Sequence, residues 1–439
     1  MQVGLVTMGL VLLTACAQMR ADAPELDEII SRLKSPEEAV RAAAGRDLAK
    51  LKQRGLSEQE GLRALRAAAE SYPTGKPEID FPGTLVEAAM PKNPRPAYVP
   101  VIGEFFGKYT DRARLEALWI LIKSNQRPAA EAYVHLVEKY GAELSRLPSI
   151  SPQREPRDVD VYLRLLPMMK HDRLAGGIAL MMLNFAEANL APRDQLIECE
   201  ADLLRAYQTR RELVLARQRE DPAGISKDDY AEWREDAGIF LDLMGYIPTD
   251  QVRKELRAAM AFADPLPKSF AIQSLLMLGE KVDAKDVEDV AAFPEKRCLL
   301  LNILKKSKQE ALFPAKYKTQ AKLAEGNMVN WLAYPTELGK PPDEIELMKV
   351  VTIDTPEGVS DYYLFRFRTL GDHWAAKDGW MAGVTGPYLK RDQPTTTDGG
   401  DTFSTFSKWE SKTPDEHVEA IRKLIAESWK QRARELEKK

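Results

Sequence analysis

Apolar residues recur at three- and four-residue steps from residue 25 to residue 325, interrupted only by caps, prolines and glycines. That period belongs to amphipathic helices, which can bury their apolar stripes only against one another. Residues 25–34 read as a first helix and 36–53 as its partner. Ser35 is placed to cap the second, with Pro36 at its first position and Glu37 and Glu38 in the first turn, each favourable there. Ala39, Val40, Ala43, Ala44, Leu48 and Leu51 then form one face, and Gly55 ends the helix. Ser57 opens another, running to residue 69.

Comparable units follow at 98–109, at 111–124 with Asp111 as cap, at 159–169, and at 172–187. Leu115, Leu118, Trp119 and Ile122 make the stripe of the second, and Leu174, Ile178, Met181, Met182 and Phe185 that of the last. Residues 197–219 read as one extended helix whose arginines alternate with acids, the pattern of a solvated face. Further helices are expected at 229–244, 249–262, 267–278, 284–292, 295–306 and 314–325. Two proline-rich stretches, 72–100 and 147–156, read as long loops.

The segment Ser35-Pro-Glu-Glu-Ala-Val-Arg-Ala-Ala-Ala-Gly-Arg-Asp-Leu-Ala-Lys-Leu resembles the second helix of a HEAT repeat. The features shared are a proline near the helix start, Val40, Arg41 and the alanine run. The resemblance implies helical hairpins stacked side by side. The cap positions Ser35, Asp111, Asp172 and Asp264 are unevenly spaced, so the repeat is degenerate. The expected fold class is mainly α: an irregular HEAT-like α-solenoid over residues 24–325, followed by a small antiparallel α+β domain over 340–439.

At the other end, Met1 to Met19 is a long uncharged run, and Leu13-Thr14-Ala15-Cys16 within it resembles a bacterial lipobox. Val3 to Leu13 supplies the apolar stretch and Thr14 and Ala15 the small residues before the cleavage site. The resemblance implies that residues 1–16 are a lipoprotein signal ending at Cys16, whose thiol takes the lipid. Two or more acyl chains anchor stably where one does not. Ala17, rather than Asp, follows the cysteine, which in such lipoproteins leans toward an outer-membrane destination. Residues 2–10 carry no Lys or Arg, a departure from the signal pattern that points to a translation start further upstream.

Beyond residue 340 the period changes. Residues 347–354 are β-branched and apolar, Pro356-Glu-Gly-Val reads as a turn, and 361–369 alternates at its end. Leu364, Arg366 and Arg368 oppose Phe365, Phe367 and Thr369, as in a strand with one exposed face. Residues 379–384 and 402–409 read as two more strands, with 393–401 a loop between them. Thr413 caps a terminal helix over 414–437, with Val418, Ile421, Leu424, Ile425 and Trp429 directed inward. Five of the seven tryptophans fall in the last 110 residues, where they either fill a thin core or bind a ligand. Trp374, Trp380 and Tyr388 are the candidate ligand or partner contacts.

The net charge of −4 and the 16 Lys/Arg against 19 Asp/Glu in the last 110 residues exclude a nucleic-acid surface. Cys199 and Cys298 sit in helical patterns as single buried thiols. His135, His171, His373 and His417 each lack a second ligand at metal spacing, so no metal or cofactor is expected. Asp372-His373-Trp374 with Lys377 and Asp378 reads as a polar loop rather than an acid/base pair, and no nucleophile elbow or phosphate loop is present. The expectation is a non-enzymatic, lipid-anchored cell-envelope scaffold with a protein partner in the envelope and no nucleic acid. The alternative is a lipoprotein binding a carbohydrate or peptide through its C-terminal domain, and a lesser one is an unrecognised hydrolase.

Overall fold

A computed structural model describes residues 25–73, 80–90, 95–148, 158–220, 228–334, 337–355, 358–370, 379–390 and 402–436. The lipobox, residues 371–378 and residues 391–401 lie outside them. The protein is mainly α, ending in a four-stranded antiparallel sheet with a terminal helix. Its chain divides into two compact units, Met1–Ala206 and Tyr207–Lys439. None of the described helices is long and apolar enough to cross a membrane.

The first unit begins with α1 (Leu26–Leu33), α2 (Glu38–Arg54), α3 (Glu58–Ala67) and α4 (Phe81–Ala88). It continues through α5 (Tyr98–Phe105), α6 (Asp111–Ser124), α7 (Arg127–Tyr140), α8 (Val159–Tyr162), α9 (Asp172–Glu187) and α10 (Arg193–Glu198). From α1 to α8, helices pack on those one or two places away in sequence: α1 on α2, α2 on α4, α3 on α4 and α5, α4 on α6, α5 on α7, and α7 on α6 and α8. Close approach has a local cause at Gly61, where any Cβ would collide with the Tyr98 hydroxyl from α5.

Several boundaries differ from the expected ones for identifiable reasons. Helix α2 starts at Glu38, because Ser35 Oγ accepts from the Glu37 amide in a turn before the helix. Arg41 folds back and donates to the Ser35 and Pro36 carbonyls at 2.9 and 2.7 Å, so Arg41 is buried and Ala39 is exposed. The cap of α6 is Thr110, whose Oγ1 accepts from the Ala113 amide, and not Asp111. The buried face of that helix is Ala113, Ala117, Leu118, Ile120 and Leu121; Leu115, Trp119 and Ile122 are only half-buried.

The proline-rich stretch expected as one loop contains α4. Asp80 Oδ1 accepts from the Gly83 amide, and Pro82 sits in the first turn, where its missing N–H costs nothing. Pro167 turns the expected helix 159–169 into a 3₁₀ segment, Leu163–Lys170, after α8. Cys199 breaks the expected long helix into α10 and α11 (Glu200–Glu220). Helix α3 opens at Ser57 as expected, through a capping box with Glu60, and the Leu174, Ile178, Met181, Met182 and Phe185 stripe of α9 is buried as expected.

The second unit holds α12 (Asp228–Met244), α13 (Asp250–Ala258), α14 (Pro265–Met277), α15 (Ala284–Ala291), α16 (Pro294–Lys306) and α17 (Gln320–Leu332). Strands β1 (Glu344–Thr355), β2 (Gly358–Arg368), β3 (Met381–Leu389) and β4 (Thr402–Lys408) follow, then α18 (Pro414–Leu436). The strands form a meander in the order β1-β2-β3-β4. Helix α17 starts later than expected, at the Thr319 cap, and runs on to Leu332. The extra length packs under the sheet: Ala324, Met328 and Leu332 share a core with Tyr363, Phe365, Phe367 and Met381. Gly383 makes the approach possible, since a Cβ there would lie 2.8 Å from Met328 Cε.

On the opposite sheet face, Tyr362, Leu364, Ala382 and Val384 pack against Val418 and Ile421 of α18. Strand β2 is therefore buried on both faces from Ser360 to Phe365, where alternation alone suggests a half-exposed strand. Leu424 was expected inward with Val418 and Ile421, but it is 42 % exposed, because it lies on the flank of the face those two residues define; the side chains of Ile425 and Trp429 lie outside the described residues.

Arg297 of α16 joins the helices to the sheet-bearing helix. Only 2 % exposed, it donates from Nε and Nη2 to the Ala291 and Ala292 carbonyls at the end of α15. Its Nη1 reaches the Lys322 carbonyl and Glu325 Oε2 on α17 at 2.8 and 2.9 Å. Replacing Arg297 by Met leaves three carbonyls without this donor and the half-buried Glu325 with Lys322 as its remaining partner, a loss of about 1–3 kcal/mol. The expected outcome is a lowered urea midpoint for the full chain; an unchanged midpoint would show that the tether is dispensable.

Candidate functional site

The sheet face that carries α18 has a second, polar end. The register places Glu344 opposite Arg368 and Glu346 opposite Arg366, so both carboxylates and both guanidiniums stand on one face. Arg366 donates from Nε and Nη2 to Glu346 Oε2 at 2.9 and 2.6 Å, and Arg368 Nη2 donates to Glu344 Oε1 at 2.6 Å. Directly opposed charges of this kind stabilise a strand pair by about 0.2–1 kcal/mol. Trp380, at the entry to β3, receives both cations: the Arg366 and Arg368 carbons Cζ lie 4.3 and 4.7 Å from its ring centroid.

This cluster is neutral by pairing, so its chemistry is stacking and hydrogen bonding rather than charge. Trp380 is half-buried, and its carbonyl accepts from the Trp409 amide, which fixes the backbone at the sheet's edge. Arg368 Nε is buried without a hydrogen-bond partner. The arrangement fixes an oriented indole ring at the end of the sheet, stacked by two guanidiniums that are themselves held by carboxylates. Sequence reading singled out Trp380 but missed its partners. The readable signal was Glu-x-Glu in β1 facing Arg-x-Arg in β2, which an antiparallel hairpin brings together.

The other sequence candidates fall elsewhere. Tyr388 is 1 % exposed, inside the core under α17, where its hydroxyl accepts from Asn327 Nδ2 at 2.8 Å and pairs with Thr385 Oγ1 at 2.6 Å. Its ring meets Tyr363 edge-on, and burial pushes the phenol up to about 12. Tyr388 therefore serves packing and is not available to an external ligand. Trp374, the Asp372–His373 pair and Cys16 lie outside the described residues.

Trp409 is half-buried and stacks on His417 at 5.1 Å, with the His417 Nε2 paired to the Trp409 carbonyl. His135 is exposed on α7, and His171 precedes α9. Burial pushes the Cys199 and Cys298 thiols up to about 12, so both stay protonated and weakly nucleophilic near neutral pH. Among the described residues no three His, Cys, Asp or Glu side chains converge as a metal site.

No protein-family model, no curated protein and no solved structure matches the chain. Trp380→Ala removes the ring beneath two guanidiniums, each contact contributing about 0.5–1 kcal/mol. A stability loss of about 1–2 kcal/mol in urea is the expected outcome; no loss would mean that the stack contributes nothing to the fold.

Proposed function

We propose that the chain is a non-enzymatic, lipid-anchored scaffold of the bacterial cell envelope, presenting helix surfaces to a protein partner. The observation that carries this reading is the packing of successive helices on their sequence neighbours from α1 to α8 and again from α12 to α17. In a HEAT-like array each unit satisfies its apolar face on the next, which leaves the outer helix faces to bind. The Leu13-Thr14-Ala15-Cys16 signal supports the anchor, and Ala17 favours the outer membrane.

A second reading is favoured by one observation, the half-buried Trp380 held by Arg366 and Arg368. On that reading the sheet end binds a carbohydrate or peptide. Titrating the full chain with envelope glycans and following tryptophan emission tests it, with Trp380→Phe as control. The isolated segment 340–439 is unsuitable because it lacks the α17 residues of the sheet's core.

The scaffold reading is tested by affinity capture from membranes with Cys16 intact. A stoichiometric envelope protein is the expected finding, and Cys16→Ser is expected to move the chain from the membrane to the soluble fraction. Recovery of the chain alone, from either fraction, would sink the reading.

A further inference from the structure

Strand β1 lies at one edge of the sheet and is twelve residues long. One side of it pairs with β2; from Glu344 to Asp354 the other side makes no backbone hydrogen bond to any described residue. Such an edge is a row of unpaired N–H and C=O groups, a template for another strand. Its side chains are apolar where it is most open: Leu347, Met348 and Val350 are 43, 38 and 44 % exposed. Leu347 and Val350 stand opposite Phe365 and Tyr363, which are buried in the core with α17, but they remain outside that core.

A bulge decides which strand can fit there. Met348 is an extra residue between Leu347, opposite Phe365, and Lys349, opposite Leu364. The alternation of β1 shifts at that point, so Ile345, Leu347 and Val350 share the α17 side, and Glu344, Glu346, Lys349 and Val351 the α18 side. Two copies of β1 laid edge to edge about a two-fold axis must pair residues of the same face. A register centred on the bulge does so: Glu344 opposite Val351, Ile345 opposite Val350, Glu346 opposite Lys349, and Leu347 opposite Met348 at the centre, each pair occurring twice. The exposed apolar side chains then meet, and the charges meet opposites. Arg366 engages only Oε2 of Glu346, which leaves Oε1 to accept from the Lys349 ammonium of the second copy. A register centred on Lys349 instead opposes lysine to lysine. Pro341 and Pro342, which lack an N–H, end the pairing before Glu344.

We propose that β1 docks antiparallel on β1 of a second copy over residues 344–351, joining the two four-stranded sheets edge to edge. The occupant is a second copy because the strand is complementary to itself in this register. A bulge and a lysine discourage pairing on a lone edge, but here they align the faces and the charges. The inference does not rest on the scaffold reading, on Trp380 or on the Cys16 anchor.

The test uses the full chain carrying Cys16→Ser, so that no acyl chain contributes and residues 1–15 are common to every variant. Sedimentation velocity over a wide range of concentration is expected to show a monomer–dimer equilibrium. Glu346→Lys and Lys349→Glu each replace two opposed pairs by two like-charge pairs, so each alone should weaken dimerisation by about tenfold or more. Mixed together, the two variants oppose Lys to Glu at every such position, and the mixture should dimerise about as tightly as the parent. Val350→Lys, a change at an exposed side chain, should weaken the dimer as well, and the far-ultraviolet circular dichroism of all three should stay that of the parent. A parent that remains monomeric throughout would overturn the proposal. So would a dimer indifferent to all three substitutions, or a mixture of the two charge variants that associates no better than either alone.

Discussion

A buried guanidinium is tolerated only if its donors find acceptors, and Arg297 meets that demand by reaching two helices at once. The Ala291 and Ala292 carbonyls it receives end α15, where helical C=O groups have no partner of their own and a cation is favoured. The acceptors on α17 lie in that helix's first two turns, and its later turns carry Met328 and Leu332 into the sheet's core. Arg297 therefore sets how the helical core around Leu300, Leu301 and Leu304 meets the core beneath Phe365 and Phe367. The Tyr317 ring, 5.1 Å from the Arg297 Cζ, closes the remaining side.

Placement of α17 has a consequence for the sheet. With that helix on one face and α18 on the other, β2 becomes a central, doubly covered strand over Tyr362–Phe365. The cover on the α18 face is partial, and the two ends of that face differ in chemistry for this reason. Under α18 it is apolar, with Lys349 bridging to Asp415 at the helix's first turn. Beyond α18, Glu344, Glu346, Arg366, Arg368 and Trp380 replace burial with cross-strand pairs and a stacked ring.

Much of the secondary structure was legible because its causes are local. Ser57 with Glu60, and Thr413 with Glu416, are reciprocal caps three residues apart, and both form. The Leu174-to-Phe185 stripe needed only its period to be recognised. Errors arose where a local signal had two physical outcomes. Prolines 82 and 100 lie within the first turns of α4 and α5, although proline density reads as loop. Arg41 was not among the residues of the expected buried face, but the carbonyls of the turn before α2 draw it inward. Among the candidate site residues, Trp380 could be picked by type, while Tyr388 could not be told from it until the core was assembled.

From sequence alone came the helical class, the four strands with their meander, the terminal helix and a lipobox-like segment at Leu13–Cys16. These depend on period, capping and composition, which act over a few residues. Tertiary structure decided which side chains those elements hide. It made β2 a doubly covered strand, assigned Tyr388 to the core, joined Trp380 to two arginines and left Leu424 exposed on the flank of α18. The reason is physical: a period specifies that a face is apolar, but burial depends on whether another element is long enough, and near enough, to cover it.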